Sequence, residues 1–491
     1  MTRSAKFALL LPLLALGTAA HAAAAFRPAP SGTGGGSLLW QDRFVAGEDP
    51  IARIAIEGSS VFVAGKGPNA GSSAGHAGSV GTGWLVRAYD FATGSVLWRD
   101  AVTGFTDTEN KAGTIVVADG LVFVGGFTSS SPQADSAMIR VYDARSGALH
   151  WQDTFDSGGV FAEVNRIALG ADGSGRMLAF AAGRGTRSDG HNEWIVRAYD
   201  AKTGALQWQD VLAGGVFNDA ESVTTDGQHV FAGGFTTDNT MNSRHFTVRA
   251  YDALNGTLLW QDRVASGMQG FAGGDAAVQV ASEGLRLVAA GVITDANGFH
   301  FAVRTYDTVT GGLLWADQLN TGGGVDNAES VTLHDGQAFV AGSGGAACSL
   351  GLPSDCDWLV RAYDEATGAL MWSMQVDGNH QDDFANVILA CGDRIAIAGS
   401  AGTDSAAPYA DWRVQVRAAN TGALLWDDVL STPATYAFPV GLAISGTRLF
   451  ATGSTLDLAG GTQDGDDIVR AYDSGSGGTG CSAVANNSSS R

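Results

Sequence analysis

Val86-Arg-Ala-Tyr-Asp-Phe-Ala-Thr-Gly-Ser-Val-Leu-Trp-Arg-Asp100 decides the fold, because its pattern recurs along nearly the whole chain. Alternating Val and Tyr make a strand, and Asp90 opens a turn by accepting backbone N–H bonds. Gly94 supplies the positive φ that the turn requires, and a second strand then carries Trp98. The same reading holds at Val196-Arg-Ala-Tyr-Asp200 with Thr203-Gly204 and Trp208, and around Tyr142, Tyr251, Tyr306 and Tyr363; Arg417-Ala-Ala-Asn420 is the loosest copy. Trp40, Trp98, Trp151, Trp208, Trp260, Trp315, Trp372 and Trp426 mark the repeat at intervals of 52 to 58 residues.

Upstream of each copy lie two more short strands around a tight turn, as in Glu221-Ser-Val-Thr-Thr, Asp226-Gly227 and His229-Val-Phe-Ala-Gly-Gly234. Four antiparallel strands per repeat predict an all-β, eight-bladed β-propeller with four strands in each blade. The ends say how it closes. Ser37-Leu-Leu-Trp40-Gln-Asp42 is an outer strand without a preceding partner, while the last repeat stops at Val469-Arg-Ala-Tyr-Asp473 and lacks its Trp strand. Pairing the N-terminal outer strand with the C-terminal third strand completes the eighth blade and removes an exposed sheet edge.

The division of the chain follows from this. Residues 1–23 read as a signal peptide: Arg3 and Lys6, an apolar run from Phe7 to Leu16, then Ala20-His21-Ala22. That run is far shorter than the ~20 residues a membrane span needs. Residues 24–36 read as a flexible segment, 37–473 as the propeller and 474–491 as a disordered Gly/Ser/Asn-rich tail. No cysteine stands near the cleavage site and no later run spans a bilayer, so the expectation is a periplasmic or secreted monomer. The chain carries a net charge of −21, near −23 once Arg3 and Lys6 are removed. Such a surface repels phosphate backbones and anionic lipid, which argues against nucleic acid and membrane-surface partners.

Ala88-Tyr-Asp90 with Thr93-Gly94 and Trp98, repeated over residues 37–473, resembles the tryptophan-docking repeat of the PQQ-like propeller superfamily. The resemblance implies the fold and two kinds of function. One is a non-catalytic scaffold that presents loops to an envelope or extracellular protein, peptide or glycan, without a cofactor. The alternative is a quinoprotein dehydrogenase that uses PQQ and calcium on an alcohol or sugar. The chain lacks the adjacent Cys-Cys pair of the alcohol-oxidising members and any Cys-x-x-Cys-His haem site, which favours the scaffold. No serine or cysteine nucleophile motif, phosphate loop or zinc-protease helix occurs, so no catalytic residue is assigned.

Features common to all repeats read as packing. Arg87, Arg140, Arg197, Arg249, Arg304, Arg361, Arg417 and Arg470 are assigned to one third-strand position. An Asp lies two residues after most of the Trp residues, as Asp42, Asp100, Asp153, Asp210, Asp262, Asp317 and Asp428. A hairpin that puts Arg, Trp and Asp on one face gives an inter-blade ion pair with cation–π stacking. Function is therefore sought where repeats differ, on the face carrying the second-to-third loops: Lys66 to Gly83, Phe127 to Ala137, Arg184 to Glu193, Ser343 to Asp357, Ser400 to Asp411 and Ser454 to Asp466. At its mouth Asp49, Glu109, Glu163, Asp219, Asp275, Asp326 and Asp382 precede the innermost strands, as turn caps or as a carboxylate ring; Asp219, Asp326 and Asp382 are the candidate metal ligands. Just inside, Arg53, Lys111 and Arg166 face Glu221, Gln279, Glu329 and Asn386, a basic wall opposite an acidic one and the candidate ligand site. Face by face, the cysteines pair as Cys348–Cys356 within one loop and Cys391–Cys481 near the closure. His191, His245 and His300 read as surface residues of successive blades, and His380 with Asp382 and Asp383 as a weak cluster.

Overall fold

The computed structural model describes residues 35–48, 52–68, 82–102, 110–131, 134–238, 244–265, 274–349, 354–378, 382–402, 410–431, 435–457, 464–475 and 481–486. Among them every regular element is a β-strand. Consecutive strands pair antiparallel in groups of four, as in Asp219–Thr225, His229–Thr237, Arg244–Asp252 and Leu258–Ala265. The first strands of units 1 to 8 are Ala52–Glu57, Lys111–Ala118, Gly158–Ala171, Asp219–Thr225, Ala276–Glu283, Asn327–His334, Phe384–Cys391 and Thr435–Ser445. Units 2 and 3 are joined into one sheet by a single parallel bridge, Phe161 to Asp135. Each first strand lies against the first strand of the next unit, and that of unit 8 lies against that of unit 1.

The two chain ends meet in unit 8. Leu38–Glu48 runs antiparallel to Asp464–Asp473, with Trp40 opposite Ala471 and Asp42 opposite Val469. Gly36 N–H donates to the Asp473 carbonyl at 2.6 Å, as Gly94 N–H donates to that of Asp90 in unit 1, so one turn is divided between the termini.

Tryptophan docking shows why the repeat needs its glycine. Each fourth-strand Trp lies on the turn glycine of the next unit, so a Cβ on Gly94 would stand 2.5 Å from the Trp40 ring. Gly36 occupies the corresponding place beneath Trp426, where a Cβ would meet the ring at 3.0 Å. The indole N–H of most of these residues donates to the same turn, as Trp98 to the Ala144 carbonyl and Trp260 to that of Thr308, both at 2.9 Å. Two bulky surfaces then meet without a side chain between them, which is the contact a positive-φ glycine alone permits.

The recurrent Asp joins neighbouring units, as expected, and also takes a tyrosine. Asp42 accepts from Arg87 at 3.0 Å and from the Tyr89 hydroxyl at 2.9 Å, and the arrangement repeats at Asp100, Asp153, Asp210, Asp262, Asp317 and Asp428. The tyrosines are buried, so the carboxylate satisfies a hydroxyl that would otherwise be stranded. The cation–π partner of the arginine is a Tyr or Phe rather than the docking Trp: Arg140 lies 5.5 Å from the Tyr142 ring, Arg197 3.9 Å from that of Phe155.

Three expectations are corrected. In unit 7 Val416 pairs with Trp426 as Ala88 pairs with Trp98, so Gln415 holds the arginine position and Arg417 that of the tyrosine. The tail is ordered in part: Ser482–Asn486 forms a strand antiparallel to Thr435–Ser445, on the edge away from Arg448–Asp457. Two expected loops are mostly strand, because Leu121–Ser131 is followed by Ala134–Asp143 and Met177–Arg187 by Asn192–Asp200. The signal peptide, Asp49, Glu109 and His380 lie outside the described residues. The cysteines pair as expected, Cys348–Cys356 and Cys391–Cys481, with Cα separations of 4.3 and 5.7 Å.

Candidate functional site

The candidate ligand residues lie on the first strands, which neighbour one another from unit to unit. Most of these strands carry a bulge near the start, skipping Gly113, Asn165, Glu221, Glu329, Asn386 or Val440 in the pairing with the second strand. An extra residue re-aims a side chain out of the pleat. Several side chains on these strands stitch units together. Asn165 Nδ2 donates to Asp219 Oδ1 at 2.7 Å, Asn386 Nδ2 to the Pro439 carbonyl at 3.0 Å, and Gln279 Oε1 accepts from the Val331 N–H at 3.0 Å. Gln279 and Asn386 thus serve neighbouring backbone.

The mouth acids fall into three registers. Asp275 and Asp326 sit immediately before the first strand, where Asp275 Oδ1 accepts from the Thr294 N–H at 2.6 Å and Asp326 Oδ1 from Gly345 at 3.3 Å. Asn110, Asn218 and Asp383 do the same in units 2, 4 and 7. That position was missed because two of these five occupants are amides, and the shared signal is an Asx residue one place before the strand. Glu163 and Asp219 stand one residue further in, and Asp382 one residue earlier, its Oδ1 accepting from Cys356 N–H at 3.1 Å. Asp219, Asp326 and Asp382 therefore enter separate networks. Among the described residues the acidic group whose oxygens approach within 4.8 Å is Asp355, Asp357 and Asp377, at the Cys348–Cys356 loop.

Each side of the mouth mixes both signs of charge. On the basic side Lys111 Nζ bonds Glu163 Oε1 at 3.0 Å, and Arg184 lies 3.7 Å from Glu163 and 3.2 Å from Asp219. Arg53 and Arg166 are buried beside them. Burial, reinforced by Arg166, brings the Arg53 guanidinium down to about 9, and burial brings Arg166 down to about 10. On the acidic side Glu221, Arg244, Ala276, Phe299, Asn327 and Glu329 line a cavity of about 300 Å³. Burial and the neighbouring Asp219 push Glu221 up to about 8. A second groove, of about 610 Å³, opens between the connection at Gly214 and Gly215 and the second-to-third segment at Thr237 and Asp238, with Arg263 on its wall. Both are on the face of the variable loops.

The tail strand lies toward the other end of the first strands. Ser482–Asn486 pairs with the half of Thr435–Ser445 nearest its turn, and lies against the first strands of units 1 and 7. Cys481, next to it, is bonded to Cys391.

The family described as outer membrane protein assembly factor BamB matches this chain in overlapping stretches, residues 29–194, 81–234, 136–351 and 244–466. The chain belongs to this family. Its repeats are the PQQ-like ones. Among curated proteins no sequence matches. Solved structures similar to this BamB-family chain include quinohemoprotein alcohol dehydrogenase from Comamonas testosteroni, 12% identical with a TM-score of 0.53, the match covering 89% of this chain and 76% of that one. Quinohemoprotein alcohol dehydrogenase ADHIIG from Pseudomonas putida is also 12% identical, with a TM-score of 0.52 over 90% and 76%. Chaetomium thermophilum Sqt1, bound to the N-terminus of ribosomal protein L10, is 13% identical, with a TM-score of 0.52 over 87% and 98%. At these identities the likeness establishes the propeller-type fold.

The buried acids give a pH dependence. Burial raises Asp467 and Asp383 to about 7 and, with Asp219, raises Glu221 to about 8. In the unfolded chain such groups titrate near ~4. Between those values the folded protein holds protons that the unfolded chain has released, so stability is full below the unfolded pKa and is lost as pH rises through about 7 and 8. The thermal midpoint should fall from pH 5 to pH 8, and Asp467→Asn should flatten that slope; an unchanged slope in scanning calorimetry would refute the assignment.

Proposed function

We propose that the chain is an eight-bladed propeller closed through unit 8, and that it is a non-catalytic binding scaffold of the periplasm or cell exterior. Its loop face and mouth, with Arg53, Lys111, Arg166, Glu221 and Glu329, are presented to an envelope or extracellular protein, peptide or glycan. The docking of Trp426 on Gly36 supports the ring, because it supplies the link between the last complete unit and the divided one. Two disulfides fit an oxidising compartment. Sqt1 holds a peptide segment on a similar fold, which supports a protein or peptide partner.

One observation favours the scaffold over the dehydrogenase. The three candidate calcium ligands are each engaged elsewhere: Asp219 with Arg184 and Asn165, Asp326 with Thr321 and Gly345, Asp382 with Cys356. Among the described residues no three carboxylates converge at the mouth to hold the ion, so those present there do not fit a calcium-bound quinone. Photo-crosslinkers placed at Asp238 on the loop face and at Asp252 on the turn face, in envelope extract of the source organism, test the reading. A discrete adduct is expected from Asp238 and none from Asp252. Dye-linked alcohol or sugar oxidation after addition of PQQ and Ca²⁺ would overturn it.

A further inference from the structure

Unit 5 interrupts a feature that its neighbours share. The bulge residue of the first strand is Glu221 in unit 4 and Glu329 in unit 6, each the third residue of its strand. The third residue of the unit 5 strand is Val278, inside the irregularity between Ala276 and Gln279. A short apolar side chain between two glutamates leaves space. The cavity of about 300 Å³ occupies it, with Val278, Val292 and Phe299 on its apolar wall and Glu221, Glu329 and Arg244 on its charged one. That size is at the lower end of the ~300–1,000 Å³ of small-molecule sites, which likewise combine an apolar lining with a few polar groups.

Two of these charged groups are held apart. Arg244 Nε is buried without a hydrogen-bond partner, and the guanidinium feels Glu221, Asp219, Asp275 and Arg184 only through space. Glu221 likewise feels Asp219, Arg244, Glu329 and Arg184 without a hydrogen bond among the described residues. Both line one cavity, yet no ion pair joins them there. The reason lies in Phe235, because the guanidinium stacks 3.4 Å from the centre of that ring and is fixed in place. Stacking uses the face of the guanidinium and leaves its in-plane donors for a carboxylate. The neighbouring stretches outside the described residues, 239–243 and 266–273, contain no Asp, Glu, Lys or Arg, so neither supplies a counter-ion. A cation and an acid separated over an apolar wall match a molecule that carries both charges and a hydrocarbon side chain.

We propose that this cavity binds a free α-amino acid with an apolar side chain, its carboxylate on Arg244, its ammonium on Glu221 and its side chain against Val278, Val292 and Phe299. Glu329, bonded to Asn327 Nδ2, adds negative charge beside Glu221. The inference takes from the scaffold reading only the loop face as the side of entry, and its ligand is a small molecule rather than the macromolecular partner. Binding is coupled to pH. Burial, with Asp219 and Glu329 and against Arg244 and Arg184, holds the Glu221 carboxyl at about 8, so an ammonium that pairs with the carboxylate releases its proton. Below that value affinity rises about tenfold per pH unit.

Isothermal titration of the full chain with L-leucine and L-phenylalanine provides the test. The same side chains with one charge each serve as controls, isoamylamine and phenethylamine as cations, isocaproate and hydrocinnamate as anions. Saturable binding of at least one amino acid is expected, about tenfold tighter at pH 7.5 than at pH 6.5. Its amine, its acid and glycine should each bind about tenfold more weakly or worse, since each leaves part of the site unmatched. Glu221→Gln and Arg244→Gln should weaken binding by about the same factor, and Glu221→Gln should also remove the pH dependence. Arg145→Gln on the turn face should change nothing. The ligand series is read on the wild-type chain, so it decides the matter even where a variant misfolds. An amine, an acid or glycine that binds as tightly as the amino acid overturns the inference, as does the absence of saturable binding. An Asp238 adduct without amino acid binding sinks this inference alone, whereas amino acid binding without the adduct sinks the scaffold reading alone.

Discussion

Deleting Leu38–Glu48 is expected to lower the thermal midpoint by about 10 °C or more and to convert a monodisperse protein into one that aggregates. The strand contributes more than its own pairing with Asp464–Asp473. Trp40 covers Gly94 and donates to the Phe91 carbonyl at 3.3 Å, and losing an aromatic contact of this kind costs about 3–5 kcal/mol. Asp42 is the acceptor for the Tyr89 hydroxyl and for Arg87. Without it the buried hydroxyl is stranded, at about 1–3 kcal/mol, while the partly exposed Arg87 regains water and adds little. Together these approach the ~5–15 kcal/mol by which a folded domain exceeds its unfolded state. The freed edge of Asp464–Asp473 would then be a template for pairing between molecules. Differential scanning calorimetry and size-exclusion chromatography read both effects, and a variant that melts within about 2 °C of the wild type would show that unit 8 does not depend on the opening strand.

The repeat was legible because its physics is local. A strand, an Asx turn, a positive-φ glycine and a Trp follow one another within fifteen residues, so the letters and the geometry coincide at Val86 to Asp100. Where letters and geometry part, reading by letter fails. In unit 7 the run Arg417-Ala-Ala-Asn420 imitates the repeat, but the turn is anchored by Thr421 and Gly422, and counting back from Gly422 places Ala418 where Asp90 stands. The mouth acids were blurred in the same way. Loops of different length precede the first strands, so residues at similar distance from the strand are not equivalent, and the backbone-capping position contains both Asn and Asp. The contrast of Arg53, Lys111 and Arg166 with Glu221 and Glu329 could be read in the sequence, because these residues fall near one place on successive first strands. Which of those charges are satisfied was not visible, since Glu163, Arg184 and Asp467 reach the same space from other strands and units. The tail was misjudged on composition. Its Gly and Ser content predicts disorder, yet Ala483 and Val484 continue a short strand just beyond a cysteine whose partner lies in unit 7.

That cysteine bears the second large effect. Replacing Cys391 and Cys481 by serine together is expected to destabilise the protein by about 4–5 kcal/mol, against about 2–3 kcal/mol for the Cys348 and Cys356 pair. The difference follows from loop entropy. The first bridge closes a separation of 90 residues and the second a separation of 8, and the denatured chain loses more freedom to the longer closure. Cys391 and Cys481 also join the first strand of unit 7 to the tail strand on unit 8, across the span that includes all three other strands of unit 7 and the three C-terminal strands of unit 8. Releasing it should expose amides of 482–486 to hydrogen exchange before the rest of unit 8, because that strand pairs along one edge only. Urea unfolding of the two double-serine variants measures the first difference, and exchange mass spectrometry the second. Equal losses in both variants would mean that the long closure is already restrained in the denatured chain, and unchanged exchange in 482–486 would mean that strand pairing, rather than the bridge, holds the tail strand in place.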